Sequence, residues 1–182
     1  MSKPAIFLDR DGTLVEEVNY LHRPEDMRLF ASTREALDTL KAAGYLLVVV
    51  TNQSGIGRGV YTEEDMNAVH EELQTQLDGL IDGFYHCPHL PCDGCECRKP
   101  GLKMIRDAER DLDLDILRSW IVGDKKIDVE TGHAAKMKTA LVLTGYGRSH
   151  KDTLDDPADV IASDLGQAAA EILTLSAAEV VV

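Results

Sequence analysis

The chain has 182 residues, enough for one medium-sized domain with a single hydrophobic core. Hydrophobic residues make up 44% of the sequence and charged residues 28%, as in ordinary soluble proteins, and aromatic residues, at 5%, are too few for a surface that stacks nucleic-acid bases. The net charge of −13 disfavours nucleic acids and anionic membranes as partners, so an anionic ligand would require cations concentrated at its own site.

Short apolar runs alternate with helical patterns along the whole chain. The predicted strands are residues 5–8, 46–50, 84–86, 120–122, 140–143 and 160–161. The predicted helices are residues 33–43, 62–80, 103–111, 129–135 and 164–175. This alternation predicts an α/β fold, a Rossmannoid three-layer sandwich with a mostly parallel central sheet. Because no linker or large inserted cap domain is visible, we predict a single domain over residues 1–182.

The sequence has no run of the roughly 20 apolar residues that a membrane-spanning helix needs. The apolar stretch at residues 5–8 is too short for the core of a signal peptide and leads directly into acidic residues. We therefore predict a cytoplasmic protein. The sequence does not set the oligomeric state, for which a monomer is the expectation.

Polar residues follow four of the predicted strands, at the points where those strands end. They are Asp9 and Asp11 after the first strand, Thr51, Asn52, Gln53 and Ser54 after the second, Arg98 and Lys99 after the third and its cysteine-rich loop, and Asp124 and Lys125 after the fourth. In open α/β sheets, ligands bind outside the carboxyl ends of the strands. We therefore expect the four clusters to converge on one crevice, where their cations could hold an anionic ligand.

The carboxylates in these clusters favour a metal site. For Asp9 and Asp11 alone, an ordinary acidic turn is an equally good interpretation. Asp124 and Asp128, however, again follow an apolar strand, and carboxylates gathered at a crevice repel one another unless a cation lies between them. Mg²⁺ is bound by one or two carboxylates together with waters and phosphate oxygens, so it is the cation that this pattern favours.

These residues resemble the four motifs of the haloacid dehalogenase superfamily of phosphatases. The similarity covers residues 7–14, the segment that begins at Thr51, Lys99, and the pair at residues 123–124, in the same order and at the same strand ends. Residues 51–59 and the stretch from Cys87 to Pro100 are more narrowly similar to the heptose bisphosphate phosphatases of this superfamily. The related histidinol-phosphate phosphatases share most of that pattern.

The resemblance implies a role for each motif residue. Asp9 would be the nucleophile that forms an aspartyl phosphate, and Asp11 would protonate the leaving alcohol and then activate water. Thr51 would supply a hydroxyl donor, and Lys99 an ammonium, to the charged phosphoryl oxygens. The implied ligands of Mg²⁺ are Asp9, the backbone carbonyl of Asp11, and Asp124. For Asp128 two interpretations stay open: it orients a water or Lys125, or it simply begins a helix.

The substrate-binding residues are predicted by the same resemblance. Residues 17–20 align with a substrate-contacting segment of the family, although a plain loop would explain them equally well. The predicted substrate-binding residues are Glu17, Asn19, Tyr20, Asn52, Gln53, Ser54, Arg98 and Lys125.

The four cysteines lie between residues 87 and 97 and favour a zinc site. Four thiolate or imidazole ligands would close a tetrahedral, structural site, which would position the cations that follow the loop. The alternative, a set of small buried cysteines, fits poorly with the Pro, Asp, Gly and Glu residues between them. By resemblance the ligands are Cys87, His89, Cys95 and Cys97, and Cys92 could replace one of them.

We therefore expect a magnesium-dependent phosphatase of a small phosphorylated metabolite. The resemblance implies removal of the 7-phosphate of a heptose bisphosphate, in a pathway that supplies heptose for a cell-surface glycan such as lipopolysaccharide. The first alternative is a histidinol-phosphate phosphatase. A second is a zinc-clipped binding protein that has lost catalysis, although the intact motif residues argue against it.

Overall fold

The computed structural model describes residues 2–179, so Met1 and residues 180–182 of the predicted domain 1–182 lie outside the described residues. Within the described range, six strands form one sheet in which every neighbouring pair is parallel, in the order β3-β2-β1-β4-β5-β6. The strands are β1 (Ala5–Leu8), β2 (Leu46–Asn52), β3 (Gly83–Cys87), β4 (Trp120–Gly123), β5 (Lys138–Val142) and β6 (Val160–Ala162).

Helices follow most of the strands, as predicted. They are α1 (Thr33–Ala42), α2 (Ser54–Gly57), α3 (Glu63–Gln76), α4 (Lys103–Leu112), α5 (Lys126–Ala135), α6 (Gly147–His150) and α7 (Leu165–Glu179). The short helices α2 and α6 were not predicted. Helix α3 ends at Gln76 rather than at residue 80, because Asp78 and Gly79 adopt left-handed backbone conformations with φ of 49° and 77°.

The sheet separates two hydrophobic clusters, because successive side chains of a strand point to opposite faces. Ile6 and Leu8 of β1 lie on the face covered by α1, α3 and α7. Ala5 and Phe7 lie on the opposite face, where α4 and the end of α5 pack. This arrangement confirms the predicted α/β three-layer sandwich with its parallel central sheet. No helix within residues 2–179 is long and apolar enough to cross a lipid bilayer.

The strand register brings the predicted site residues together. Leu8, the last residue of β1, pairs with Val49 of β2 on one side and with Val122 of β4 on the other. Asp9 continues this pattern, since its backbone N–H donates to the carbonyl of Val122 at 2.9 Å. The first residue after the central strand therefore lies between the ends of its two neighbours, where Thr51 and Asp124 are found.

Candidate active site

Asp9 lies at the carboxyl end of the central strand and is almost fully buried. Its Oδ1 accepts a hydrogen bond from Lys99 Nζ at 2.9 Å, and its Oδ2 lies 3.8 Å from Lys125 Nζ. Burial alone would raise the pKa of the Asp9 carboxyl, but the two ammonium groups outweigh it and hold the pKa below its usual value. Asp9 is therefore a carboxylate at neutral pH, the form that can attack phosphorus.

The Lys99 ammonium is buried and donates three hydrogen bonds to the protein. Its acceptors are Asp9 Oδ1, the carbonyl of Val50 at 2.9 Å and Asp128 Oδ1 at 2.6 Å. Burial favours the neutral amine, but the carboxylates of Asp128 and Asp9 outweigh it and raise the pKa of Lys99. The side chain of Asn52 holds the backbone at this position, because its Oδ1 accepts from the Lys99 N–H at 3.0 Å and its Nδ2 donates to the Lys99 carbonyl.

Asp128 combines features of both interpretations that the sequence left open. It lies in the first turn of α5, where its Oδ2 accepts a hydrogen bond from the backbone N–H of Lys125 at 3.0 Å. Its other oxygen accepts from Lys99. Asp128 thus begins a helix and also positions a predicted catalytic side chain, and the residue that its carboxylate orients is Lys99, which the sequence did not suggest.

Asp11 lies beside Asp9, and its carboxylate is held by other residues. Its Oδ2 accepts from Arg10 Nη2 and from Gln53 Nε2, each at 2.9 Å. Arg10 is completely buried, although the neighbouring residues in the sequence mark it only as part of a polar turn. The Gln53 amide also donates to Thr51 Oγ1 at 2.8 Å, so the predicted acid/base residue and the predicted phosphate-binding hydroxyl share one hydrogen-bonding partner.

The carboxylates and the backbone around them fit a hard divalent cation. Carboxylate oxygens of Asp9, Asp124 and Asp128 lie within 4.8 Å of one another. Asp124 is fully buried, and within the described residues its Oδ1 accepts no hydrogen bond of good geometry. The Lys125 ammonium lies 3.3 Å from that oxygen and 3.4 Å from the carbonyl oxygen of Asp11. These two oxygens therefore already interact with one cationic group.

Two further features support a cation next to Asp124. Burial and the negative charge of Asp9 raise the pKa of Asp124 to about 7, as expected for a carboxyl group that lacks a full counter-charge. Gly12 has a φ of +90°, and a Cβ at this residue would lie 2.2 Å from Asp124 Oδ2. Only glycine therefore lets the backbone that follows Asp11 approach the Asp124 carboxylate so closely.

A cavity of about 440 Å³ opens over these groups. It is lined by all eight predicted substrate-binding residues and by four predicted catalytic residues, namely Glu17, Asn19, Tyr20, Asn52, Gln53, Ser54, Arg98 and Lys125 with Asp9, Asp11, Thr51 and Lys99. Glu17 Oε2 lies 3.2 Å from Lys125 Nζ, which ties the segment at residues 17–20 to the rest of the site. Burial raises the pKa of Glu17, although Lys125 opposes this effect.

The four predicted zinc ligands form a cluster beside the cavity. One ligand atom from each of Cys87, His89, Cys95 and Cys97 lies within 4.8 Å of the others, with individual separations of 3.1–3.6 Å. Sulfurs at about 2.3 Å from a common zinc would be about 3.8 Å apart. The sulfur separations of 3.1–3.6 Å are somewhat shorter than this, but the four ligand atoms are grouped as a single tetrahedral zinc would require. Cys92 is exposed and does not belong to the cluster that the described residues form.

Known proteins with similar sequences identify the family. The D-glycero-β-D-manno-heptose-1,7-bisphosphate 7-phosphatase of Haemophilus ducreyi is 39% identical over 176 residues, which cover 91% of this chain and 96% of the relative. The enzyme of the same name from Pasteurella multocida is 44% identical over 153 residues, which cover 79% of this chain and 83% of the relative. The chain belongs to the heptose-1,7-bisphosphate 7-phosphatase family.

Two further comparisons agree with this family. The HAD-hydrolase-like family model matches residues 96–168, the part of the chain that contains Lys99 and Asp124. A D,D-heptose 1,7-bisphosphate phosphatase from B. bronchiseptica, solved with magnesium and phosphate, superposes with a TM-score of 0.87 at 32% identity, covering 94% of this chain and 99% of that one. These similarities favour the heptose-bisphosphate phosphatases over the histidinol-phosphate phosphatases.

Tyr61 and His150 also line the cavity, although the sequence analysis did not identify them as site residues. His150 ends α6, which follows β5. The rule that ligands bind at the carboxyl ends of strands, applied to this fifth strand as well, would have indicated the segment. Tyr61 lies beyond α2, and no local pattern in the sequence shows that its hydroxyl reaches Gln53.

Proposed function

We propose that the protein removes the 7-phosphate of a D-glycero-D-manno-heptose 1,7-bisphosphate by way of an aspartyl phosphate on Asp9. The observation that carries this proposal is the buried Asp9 carboxylate, held between Lys99 and Lys125 at the base of a cavity that Asp11 also lines. The family to which the chain belongs supports the choice of substrate, and the charged sugar phosphate leads us to place the reaction in the cytoplasm.

In the first half-reaction a carboxylate oxygen of Asp9 attacks the 7-phosphorus atom. The new O–P bond forms as the bond between phosphorus and the sugar oxygen breaks, and Asp11 donates its proton to that leaving oxygen. The Thr51 hydroxyl donates a hydrogen bond to a phosphoryl oxygen, and the positive charge of the Lys99 ammonium stabilises the negative charge on the phosphoryl oxygens. The products of this step are the heptose 1-phosphate and the phosphoenzyme.

In the second half-reaction a water molecule attacks the phosphorus atom of the aspartyl phosphate. Asp11, now a carboxylate, accepts a proton from that water as the new O–P bond forms and the bond to Asp9 breaks. Inorganic phosphate leaves, Asp9 is again a carboxylate and Asp11 is again protonated. The single carboxyl group of Asp11 thus acts first as an acid and then as a base.

The residues that would hold Mg²⁺ are Asp9, the backbone carbonyl of Asp11, and Asp124. When bound, Mg²⁺ would neutralise the charge of the phosphate and of the carboxylates around it. Asp124 is the residue that depends most on this cation, because it is fully buried and its Oδ1, which lies 3.3 Å from the Lys125 ammonium, accepts no hydrogen bond within the described residues.

The cysteine cluster would hold one structural Zn²⁺, because four protein ligands leave no open position for a substrate. Its role would be to fix the loop that ends at Arg98 and Lys99. Arg98 is already tied to this loop, since its Nη1 donates to the carbonyl of His89 at 3.3 Å. A planar guanidinium at the rim of the cavity suits the second phosphate or the hydroxyls of a sugar bisphosphate.

The charges in the cavity also argue for a bisphosphate over histidinol phosphate. Lys99 and Lys125 are paired with carboxylates, but the Arg98 guanidinium also lines the cavity and would repel the protonated amine of histidinol phosphate unless Glu17 screened it. A sugar bisphosphate carries only hydroxyls and negative charge. The part of the substrate beyond the reacting phosphate therefore favours heptose bisphosphate over histidinol phosphate.

The test is phosphate release by the purified protein with Mg²⁺. We expect a higher kcat/KM for D-glycero-D-manno-heptose 1,7-bisphosphate than for histidinol phosphate or p-nitrophenyl phosphate, and heptose 1-phosphate as the sugar product. Faster hydrolysis of histidinol phosphate at limiting concentration would overturn the substrate assignment. Substantial steady-state activity of Asp9→Asn would overturn the covalent mechanism.

A further inference from the structure

The Gln53 side chain is almost fully buried, and the protein itself uses its entire hydrogen-bonding capacity. Its Nε2 donates to Asp11 Oδ2 at 2.9 Å and to Thr51 Oγ1 at 2.8 Å. Its Oε1 accepts from Arg10 Nη2 at 3.1 Å and from the Tyr61 hydroxyl at 2.5 Å. A carboxamide offers two N–H donors and two oxygen lone pairs, so Gln53 has no hydrogen bond left for a substrate.

The two neighbours of Oε1 determine which way the amide points. Arg10 can only donate hydrogen bonds, so the oxygen of Gln53 must face it, and the NH₂ group must face Asp11. Burial raises the pKa of Tyr61 to about 12, which keeps its hydroxyl protonated and able to donate. A Cβ at Gly55 would lie 2.0 Å from the Tyr61 ring, so this glycine is what lets the ring reach Gln53.

The orientation of Gln53 has a consequence for both residues that it contacts. Thr51 Oγ1 accepts a hydrogen bond from Gln53, which leaves the proton of this hydroxyl for a ligand in the cavity. Asp11 Oδ2 accepts from both Gln53 and Arg10, so its plane and rotamer are fixed by two donors. A carboxyl group that transfers a proton twice in one cycle depends on such fixed orientation.

We propose that Gln53 is a positioning residue that orients the acid/base carboxyl of Asp11, with Tyr61 and Arg10 holding the Gln53 amide in place. This inference rests on the proposed function, in which Asp11 protonates the leaving sugar oxygen. It gives Gln53 a role that differs from the direct substrate contact predicted from the sequence.

The dependence on the leaving group distinguishes positioning of Asp11 from substrate binding. A sugar alkoxide is a poor leaving group and requires a proton from Asp11 as its bond to phosphorus breaks. The p-nitrophenolate anion is stable enough to leave without that proton. Loss of the contact between Gln53 and Thr51 would change how the enzyme binds the phosphoryl group, which both substrates share. This effect therefore cancels in the ratio of the rates of phosphoenzyme formation from the two substrates.

The experiment compares Gln53→Leu with the unmodified protein by rapid-quench measurement of phosphoenzyme formation and decay, with Mg²⁺ present. We expect phosphoenzyme formation from heptose 1,7-bisphosphate to fall by about 30-fold and that from p-nitrophenyl phosphate by less than about 3-fold. Hydrolysis of the phosphoenzyme, which requires the base, should slow for both substrates alike. An equal decrease in phosphoenzyme formation from the two substrates, or a rise in KM alone, would overturn the positioning role.

Tyr61→Phe makes the same test without the loss of a buried amide. It removes only the hydroxyl that donates to Gln53, and we expect a smaller change in the same direction, about 5-fold for the heptose substrate. Tyr45→Phe is the matched control, because Tyr45 is buried to the same extent as Tyr61 and donates to Ser176 Oγ at 2.8 Å away from the cavity. The rate ratio of Tyr45→Phe should equal that of the unmodified protein.

Gln74→Leu is the matched control for Gln53→Leu. Both polar atoms of the Gln74 amide are bound by the backbone of Ile81, far from the cavity, so its loss affects stability without touching Asp11. A shift of the rate ratio in Gln74→Leu as large as that in Gln53→Leu would overturn the inference. If the unmodified protein does not hydrolyse the heptose bisphosphate at all, the proposed function fails; if it does and neither Gln53→Leu nor Tyr61→Phe shifts the ratio, only the positioning role fails.

Discussion

The ammonium of Lys99 lies between the carboxylates of Asp9 and Asp128, at 2.9 Å from one and 2.6 Å from the other, and all three groups are buried. The Lys99 ammonium therefore offsets two buried carboxylates at hydrogen-bonding distance, whereas the second cation near Asp9, Lys125, lies 3.8 Å away. Buried ion pairs of this kind contribute little when intact, but removal of one partner leaves uncompensated charge. The structure thus makes the stability of the folded chain depend on a predicted catalytic residue.

We expect Lys99→Met to lower the free energy of unfolding by about 3–5 kcal/mol in the absence of divalent cations. Urea unfolding followed by circular dichroism measures this change. Lys126→Met serves as the control, since Lys126 pairs with Asp155 at the surface and should change the unfolding midpoint very little. A loss below about 1 kcal/mol in Lys99→Met would show that Asp9 and Asp128 find other partners.

Replacement of Asp9 by asparagine should abolish turnover and leave the fold intact, because an amide cannot form the phosphoenzyme. Rapid acid quench of the unmodified protein with labelled substrate should trap phosphate on Asp9, as located by mass spectrometry. Asp11→Asn should still form some phosphoenzyme from p-nitrophenyl phosphate but should hydrolyse it slowly. Labelling of another residue would contradict the assignment of the nucleophile.

The positions of the strands along the chain and the polar residues at their ends could be predicted from the sequence, because both depend on local patterns. A buried parallel strand is a continuous apolar run, and the polar residue that ends it is visible in the sequence. The predicted strand boundaries were wrong where polar residues belong to a strand. β5 begins at Lys138 rather than at residue 140, because Lys138 and Thr139 are not apolar. The short helices α2 and α6 are too brief to show a periodic pattern.

The hydrogen bonds within the site could not be predicted in this way. From the sequence, Asn52 and Gln53 were predicted to contact the substrate. In the structure the Asn52 side chain accepts a hydrogen bond from the Lys99 backbone, and the Gln53 side chain donates to both Thr51 and Asp11. Arginine is usually exposed, so composition gives no reason to expect Arg10 in the interior. Such contacts depend on how segments far apart in the chain pack together, which only the three-dimensional structure reveals.

Loss of one predicted zinc ligand should release the metal. We expect about one zinc per chain in the unmodified protein and in Cys92→Ser, whose cysteine is exposed and outside the cluster, but much less in Cys97→Ser. Metal analysis of protein purified without chelators measures this content. Because the loop carries Arg98, Cys97→Ser should also lower kcat/KM for the heptose bisphosphate more than for p-nitrophenyl phosphate. Full zinc content in Cys97→Ser would contradict the ligand set.

His70 of α3 should make the folded state sensitive to mild acid. Its imidazole is buried and stacks on Phe84 with 4.6 Å between ring centroids, and its Nε2 has no hydrogen-bonding partner among the residues described. Burial, together with the nearby charges of Arg10 and His86, lowers the pKa of His70 to about 3. In the unfolded chain the same imidazole would have a pKa of about 6.5.

The sign of the effect follows from these two pKa values. Between pH 6.5 and about 3 the unfolded chain binds a proton that the folded chain does not, so the free energy of unfolding falls as the pH decreases. The contribution of His70 at pH 5 is a loss of about 2 kcal/mol relative to pH 7. Urea unfolding of His70→Leu at the two pH values should show a loss smaller by about this amount, because leucine keeps the buried volume but binds no proton. Gln74→Leu, which replaces another side chain of α3 but removes no titratable group, is the control and should retain the pH dependence of the unmodified protein. An equal loss of stability in His70→Leu and the unmodified protein would show that His70 is already solvated and titrates alike in both states.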